Sequence, residues 1–540
     1  MYDYVIIGGG MGGLTAGALL ANAGASVAVL EAHEFPGGCC HTFPMGRYRF
    51  CAAVHYIFSC GEGEPVHNVL RKLGLEETVT FERLDPEGFD HFSCPSEGMR
   101  FRIPNGLGKW SERLADRFPE ERAGIAKFFG TVQTLWTELQ LLPDELRLLD
   151  VPKAVLQSPH VLRYRRWTLQ RLFDSLGLSK PVQAILSTQL GDLGLPPSEV
   201  SLLIYVALVS RYGDGAYYPT EHFSHFIDAF ADAITRSPGS TLSLNTEVTA
   251  AKMEGGRLRS VTTADGREFR GTHFICNADP QWFVSLVGRE QFPQKYLQSV
   301  DYEYSASSFS VYLGVRGIDL RDHGFGNWNV WHYPRLDVND IYAAQHRRDD
   351  LGDPWLFMST PTLCSPRAKT LHAPEGEQIL ELITTCAYEP FERAQKTGLR
   401  EYTRRKVALR DRMIATVERH YVPNLRRHLA IRVAGTPTTN RRYLWAPGGN
   451  IYGSALTPEN VSERRLKWRT PVENLFFTGA SAAFPSIGGT VSGAARLYTA
   501  LTGDSLSARR GPTGQLPFRN VPMNTRSMVV SAGNSRPPTL

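Results

Sequence analysis

Residues 2–31 constrain this chain more than any other stretch. They read YDYVIIGGGMGGLTAGALLANAGASVAVLE. Tyr4 to Ile7 is a short apolar run with β-branched residues, the pattern of a buried strand. Gly8-x-Gly10-x-x-Gly13 follows at once, with Met11 and Gly12 inside it. Leu14 to Ala23 is small and apolar, suited to a helix lying close on a sheet. Ser26 to Leu30 reads as a second strand, and Glu31 and Ala32 stand at its end. Strand, glycines, helix, strand and acid in this order form the βαβ unit that binds a dinucleotide. Gly8 permits the turn out of the strand, Gly10 lets a pyrophosphate approach the backbone, and Gly13 and Gly17 let the helix sit against the sheet. The helix N-terminus offers free N–H groups and partial positive charge to phosphate. Glu31 suits ribose hydroxyls and repels a 2′-phosphate.

The residues after Glu31 narrow the choice of dinucleotide to FAD. Gly37-Gly38, followed by Cys39, gives a second close backbone approach to phosphate. The remaining composition mostly excludes. A net charge of +5 on 540 residues, with no nucleic-acid motif, gives no case for a nucleic-acid partner. The eight cysteines form no CxxC pair and no zinc spacing, so no metal is expected. Their usage reads as a reduced, intracellular protein. A strand beginning at residue 2 is read as leaving no room for a signal or transit peptide, and the expected location is the cytoplasm, with contact at a membrane periphery at most.

Further motifs carry a resemblance. PGGCCHTF (Pro36 to Phe43) and RYRFCAAVHYI (Arg47 to Ile57) resemble the retinol saturase and carotenoid isomerase branch of the phytoene desaturase-like flavoproteins. Flavin amine oxidases usually carry arginine after the glycine pair, where this chain has Cys39. The branch's pattern before the His-Tyr pair reads differently here, as Cys51-Ala52-Ala53. Where relatives often have Gly-Gly after Tyr-Pro at a helix start, this chain has Glu221-His222. The resemblance implies an α/β fold: a discontinuous Rossmann-type FAD-binding domain plus an α+β substrate domain with an antiparallel sheet and a helical insertion. The expected division is 1–80, 211–285 and 435–504 for the FAD-binding domain, 81–210 for a mainly helical insertion, 286–434 for the substrate domain, and 505–540 for a disordered tail.

Within that plan, the patterning predicts strand over much of Thr80 to Pro104 and helices over Val66 to Leu73, Glu121 to Leu149 (broken near Pro143), Val161 to Leu176 and Tyr402 to Tyr421. Tyr217 to Ile234 reads as strand end, loop and helix, and Thr241 to Pro280 as alternating strands. Ser307 to Val315 and Gln378 to Tyr388 read as strands, the second stopped by Pro390. Arg163, Arg165, Arg166 and Arg171 give the Val161 to Leu176 segment a basic face that suits an anionic membrane surface. By resemblance, Val248 pairs its backbone with the adenine, and Gly435 to Gly453 lies beside the flavin. NLFFTGASAAFPSIGGTVSGAARLYTALTG (Asn474 to Gly503) supplies the second flavin motif. There Gly479-Ala480 forms a tight turn, and Gly488, Gly489, Thr490 and Val491 open a helix aimed at the flavin N1–C2=O edge.

A flavin carries the chemistry and the protein positions it. The reading is an FAD-dependent oxidoreductase acting on carbon–carbon bonds of a long apolar polyene or isoprenoid, with an external electron donor or acceptor. Saturation, desaturation and cis–trans isomerisation stay open. His41, His55, Tyr56 and Glu62 are the candidate proton relays, because the stretch after Gly37-Gly38 leads toward the isoalloxazine in relatives. A flavin amine oxidase is the alternative, and a non-catalytic flavin binder the third reading.

Overall fold

The computed structural model describes residues 1–142, 152, 156–462 and 464–506. The helix break expected near Pro143, and the tail from residue 507 onward, lie outside them.

The apolar opening run forms the strand Tyr2–Ile7, whose last four residues are buried. It pairs in parallel with Val27–Leu30 on one side and Glu268–Cys276 on the other. Thr241–Ser243 extends the parallel layer beyond Val27–Leu30, and Leu475–Phe477 extends it beyond Glu268–Cys276. Strands far apart in the chain thus share one layer, as the discontinuous plan requires. Val248–Glu254 and Arg257–Thr263 run on from Glu268–Cys276 as an antiparallel ribbon.

The helix Met11–Asn22 is buried from Met11 to Ala21. It has no solvent face because it packs against both Phe223–Thr235 and Ile487–Thr502 as well as the sheet. Its small residues make this possible: a Cβ on Gly17 would stand 3.0 Å from Val29 and 3.1 Å from Ile234.

A second sheet runs in the order Leu429–Gly435, Ser307–Val315, Gln378–Cys386, Leu356–Ser359, Asn329–His332, Asp90–Cys94 and Met99–Ile103. Every pairing is antiparallel except Asn329–His332 with Asp90–Cys94. The 81–210 stretch is therefore helical only in its later part. Its strands Asp90–Cys94 and Met99–Ile103 close the edge of the second sheet, and Phe81–Arg83 pairs with Tyr217–Pro219.

Two sequence expectations need correction. The segment Val161 to Leu176 is not one helix but two, Pro159–Tyr164 and Leu169–Leu176. Thr168 starts the second by accepting from the Arg171 N–H, and the bridge it forms with Ser201 fixes the break. The four arginines are exposed, but they do not share one helical face. Arg171 lies over Trp167, and Arg163 over Tyr164. Pro390 does not stop a strand. The strand ends at Cys386, and Pro390 sits in the first turn of the helix Glu389–Thr397, where its missing N–H costs nothing. Among the described residues, no helix is long and apolar enough to cross a membrane.

Candidate active site

One continuous cavity runs from the glycine turn of the first sheet to the face of the second. The turn is shaped by crowding. Gly8 has a φ of +98°, which favours glycine, and a Cβ there would stand 3.1 Å from the Ala278 nitrogen. A Cβ on Gly13 would overlap the Gly8 carbonyl oxygen. No side chain caps Met11–Asn22, and its first turn holds no acid, so its leading N–H groups are free for an anion. Beside them the buried Asn277 Oδ1 has no partner among the described residues. An orphaned acceptor, an uncapped helix and a cradle that side chains would fill together fit a bound dinucleotide.

Glu31 is drawn into the turn itself. Its carboxylate accepts from the Gly9 N–H at 2.6 Å and the His33 N–H at 2.8 Å. Burial pushes its carboxyl up, while those two N–H groups pull it back. Gly37 and Gly38, at φ of +108° and +57°, bring the next loop against Gly10, and the Gly37 N–H donates to the Gly9 carbonyl. Cys39 lines the cavity, and burial pushes its thiol up to about 11, so it is a neutral wall group at physiological pH.

Most of the residues singled out in the sequence come together here. Gly8, Gly10, Met11, Gly12, Glu31, Ala32, Gly37, Gly38, Cys39, Val248, Gly479, Ala480 and Thr490 all line the cavity, as do His41, His55 and Tyr56. Gly13, Gly488, Gly489 and Val491 do not; they pack behind the wall. A Cβ on Gly488 would press the Phe58 carbonyl at 2.8 Å, and one on Gly489 would overlap that of Phe484. The helix Ile487–Thr502 is capped by Ser486, whose hydroxyl accepts from Gly489 at 2.8 Å. Glu62 is exposed and lies outside the cavity wall, because its loop turns outward after Cys60. It is withdrawn as a relay candidate.

The three remaining candidates have distinct settings. His41 Nδ1 donates to the Gly38 carbonyl at 2.7 Å, and burial lowers its pKa, so it braces the loop as a neutral ring. His55 Nδ1 stands 2.6 Å from Glu381 Oε2, both groups buried, and His55 Nε2 has no partner among the described residues. Tyr56 donates to Asp192 at 2.7 Å and approaches Asp90 at 3.2 Å.

Sequence reasoning missed the far chamber of the cavity. Its wall includes Asp192, Leu208, Trp331, Trp355, Phe357 and Ile383. The aromatic wall carries no local signature, since it comes from separate strands of the second sheet. Asp192 left a signal: it is the lone charge between Lys180 and Glu199.

The profile of the flavin containing amine oxidoreductase family matches residues 11–496. The chain belongs to that family. All-trans-retinol 13,14-reductase of Danio rerio is 26% identical over 530 residues, spanning 91% of this chain and 84% of the reductase. Prolycopene isomerase 1 of an Oncidium hybrid cultivar is 26% identical over 513 residues, spanning 90% of this chain and 81% of the isomerase. Among solved structures, wild-type putrescine oxidase bound to putrescine superposes with a TM-score of 0.64 at 14% identity, over 92% of this chain and 98% of its own. An oxidoreductase from Methanosarcina mazei superposes at 0.60 and 16% identity, over 92% and 99%. At such identities these two structures establish the fold of the family member described here and nothing of its substrate.

Proposed function

We propose that this flavin oxidoreductase is FAD-dependent and acts on carbon–carbon double bonds of a long apolar polyene of the retinoid or carotenoid class. The observation that carries the reading is the far chamber, where the aromatic rings of Trp331, Trp355 and Phe357 meet Leu208 and Ile383 at the end of the cofactor channel. The rings suit the flat face of a polyene as they suit an amine cation, so the discrimination rests on the branched chains of Leu208 and Ile383, which gain only from apolar cover. The named relatives act on all-trans-retinol and prolycopene, which supports the same class.

In this reading Gly10, Gly12 and the leading N–H groups of Met11–Asn22 receive the pyrophosphate. Glu31 receives the ribose, the Val248 backbone the adenine, and the turn at Gly479-Ala480 borders the flavin. When bound, the flavin supplies hydride transfer at N5. The protein's own part is to align the polyene along the aromatic wall, exclude water, and hold a proton beside the reacting carbon. An external two-electron partner closes any cycle that is not redox-neutral.

An anaerobic visible spectrum during addition of retinoids and carotenes tests this. A polyene that bleaches the oxidised flavin band marks dehydrogenation. A product formed only after pre-reduction marks saturation if the flavin reoxidises, and isomerisation if it does not. Hydrogen peroxide release with amines, and no response to any polyene, would overturn the reading in favour of an amine oxidase.

A substrate of this kind resides in lipid. Phe35, Tyr443 and Trp445 both line the cavity and are exposed, so they stand where it opens. Peripheral contact with an anionic bilayer belongs to the proposal; Arg163, Arg165, Arg166 and Arg171, spread over two short helices and the turn between them, enter it as exposed cations and not as one basic face. Replacing all four by glutamine is expected to cut co-sedimentation with anionic liposomes severalfold. Undiminished pelleting would retire that contact.

A further inference from the structure

Addition of hydrogen across a double bond needs a proton as well as a hydride, and the cavity holds a carboxyl placed to supply it. Asp192 is half-buried and lines the far chamber with Trp331, Trp355 and Phe357. Its Oδ2 accepts the Tyr56 hydroxyl at 2.7 Å. The same hydroxyl lies 3.2 Å from Asp90 Oδ2. Asp90 is fully buried and has two donors of its own, Gln189 Nε2 at 2.9 Å and Asn329 Nδ2 at 3.1 Å. Among the described residues, Asp192 has Tyr56 alone. Two carboxyls on one phenol cannot both ionise cheaply, and the amide donors favour Asp90 as the anion. The proton therefore belongs to Asp192, the member that faces the cavity.

The surroundings agree. The titratable groups near Asp192 are Asp90 and the phenols Tyr56, Tyr212, Tyr333, Tyr342 and Tyr452. Among the described residues, no cation stands against it. Burial pushes the Asp192 carboxyl well above the ordinary carboxylate range, and Asp90 adds to this.

We propose that Asp192 is the catalytic acid and base of the cavity, that the neighbouring Asp90 keeps the proton on it, and that Tyr56 is a positioning residue that orients its carboxyl. The inference rests on the polyene reading given above. In saturation, the Asp192 O–H bond breaks and a C–H bond forms at one olefinic carbon, using the π electron pair. The neighbouring carbon would take a hydride, with its electron pair, which a reduced flavin would supply when bound. Asp192 is left as carboxylate and regains its proton from solvent along the cavity that it faces. In dehydrogenation every transfer reverses, and the Asp192 carboxylate takes the proton. A reductant outside the protein, dithionite in the test below, loads the electron pair.

The test compares wild type with Asp192→Asn and Asp192→Glu, reduced by dithionite and given one equivalent of retinol in D2O and in H2O. Wild type is expected to place one solvent deuterium beside the carbon that received the hydride. Asp192→Asn is expected to lose about 10²- to 10⁴-fold in single-turnover rate, with retinol affinity by fluorescence within about threefold. Asp192→Glu is expected to restore part of the rate. Independently of turnover, the infrared spectrum at pH 7 should show a protonated carboxyl band in wild type that Asp192→Asn lacks. A rate for Asp192→Asn within about threefold of wild type, or an infrared spectrum without that band, overturns the assignment. If Asp192→Asn fails to fold, pH titration of the wild-type infrared band decides: a carboxyl band already lost as the pH is raised to 6 overturns it. A wild type that shows the band and turns over no polyene, in either flavin state, sinks the polyene reading and with it the catalytic role.

Discussion

Gly13→Ala is expected to yield a protein that purifies without its yellow cofactor. The added methyl has no free direction, because it would overlap the Gly8 carbonyl oxygen and lies 3.2 Å from Asn277 Cβ. Both neighbours belong to the wall of the cofactor channel, and the first is backbone. The opening helix is pinned from behind by Phe223–Thr235 and Ile487–Thr502, so it cannot retreat. The turn itself must then move. Overpacking of this kind costs about 1–3 kcal/mol. If that cost falls on the bound geometry, it is roughly a 5- to 150-fold loss of affinity, at a factor of ten per 1.4 kcal/mol. The ratio of visible to ultraviolet absorbance after gel filtration measures it. Full flavin occupancy in Gly13→Ala, with an unchanged melting temperature, would show that the turn is looser than its contacts indicate.

Tyr56→Phe is expected to destabilise the protein more at pH 8 than at pH 5. The ring is held by stacking on Tyr212, centroids 4.5 Å apart, and phenylalanine keeps that contact. What is lost is the hydroxyl that donates to Asp192 and lies 3.2 Å from Asp90. Burial pushes the Asp90 carboxyl up to about 6, against an ordinary value of about 3.9. The native state thus holds its proton where the unfolded chain has released it. Stability from this source is complete below the unfolded value and drains as pH rises through about 6. In wild type the Tyr56 hydroxyl offsets part of the drain by donating to the ionised form. Without it, a buried acceptor goes unpaired, at a cost of about 1–3 kcal/mol, and the cost grows as the carboxyls ionise. Thermal melts of both proteins at pH 5 and pH 8 measure the gap. An equal gap at the two pH values would mean that the hydroxyl does not act on the ionised carboxyl.

The residues of these two predictions differ in how far the sequence discloses them. Gly13 is legible because its neighbours, Gly8 and the helix, are adjacent in the chain and follow a local rule. The same holds for Glu31, Gly37, Gly38 and Gly479. Each belongs to a short motif of recognisable residue types, even where its contacts come from elsewhere in the chain, as those of Gly479 come from Asn277. The carboxyl pair is another matter. Asp90 comes from a strand, Asp192 from a short turn after the helix Lys180–Leu186, and Tyr56 from a loop. Only the packing of the second sheet against the helical region brings them together, and no spacing encodes that. The misread helix at Val161 to Leu176 has a similar cause. Its apolar period survives the break, whereas Thr168 ends it through a cap and a bridge to Ser201. Glu62 shares sequence neighbourhood with Tyr56 but lies past the turn that leaves the cavity.

The first sheet takes strands from both ends of the described chain, and this bears on biosynthesis. A ribosome delivers Tyr2–Ile7 and its glycine turn before the other strands of that sheet, and domains generally fold in order as they emerge. Here the turn waits. Its floor, Asn277, arrives with the strand Glu268–Cys276, and the wall at Gly479 follows only after Leu475–Phe477. Until then the fingerprint is an apolar hairpin of strand and helix with most of its partners still unmade. The cradle of the glycine turn is therefore complete only when Asn277 and Gly479, from distant parts of the chain, are in place.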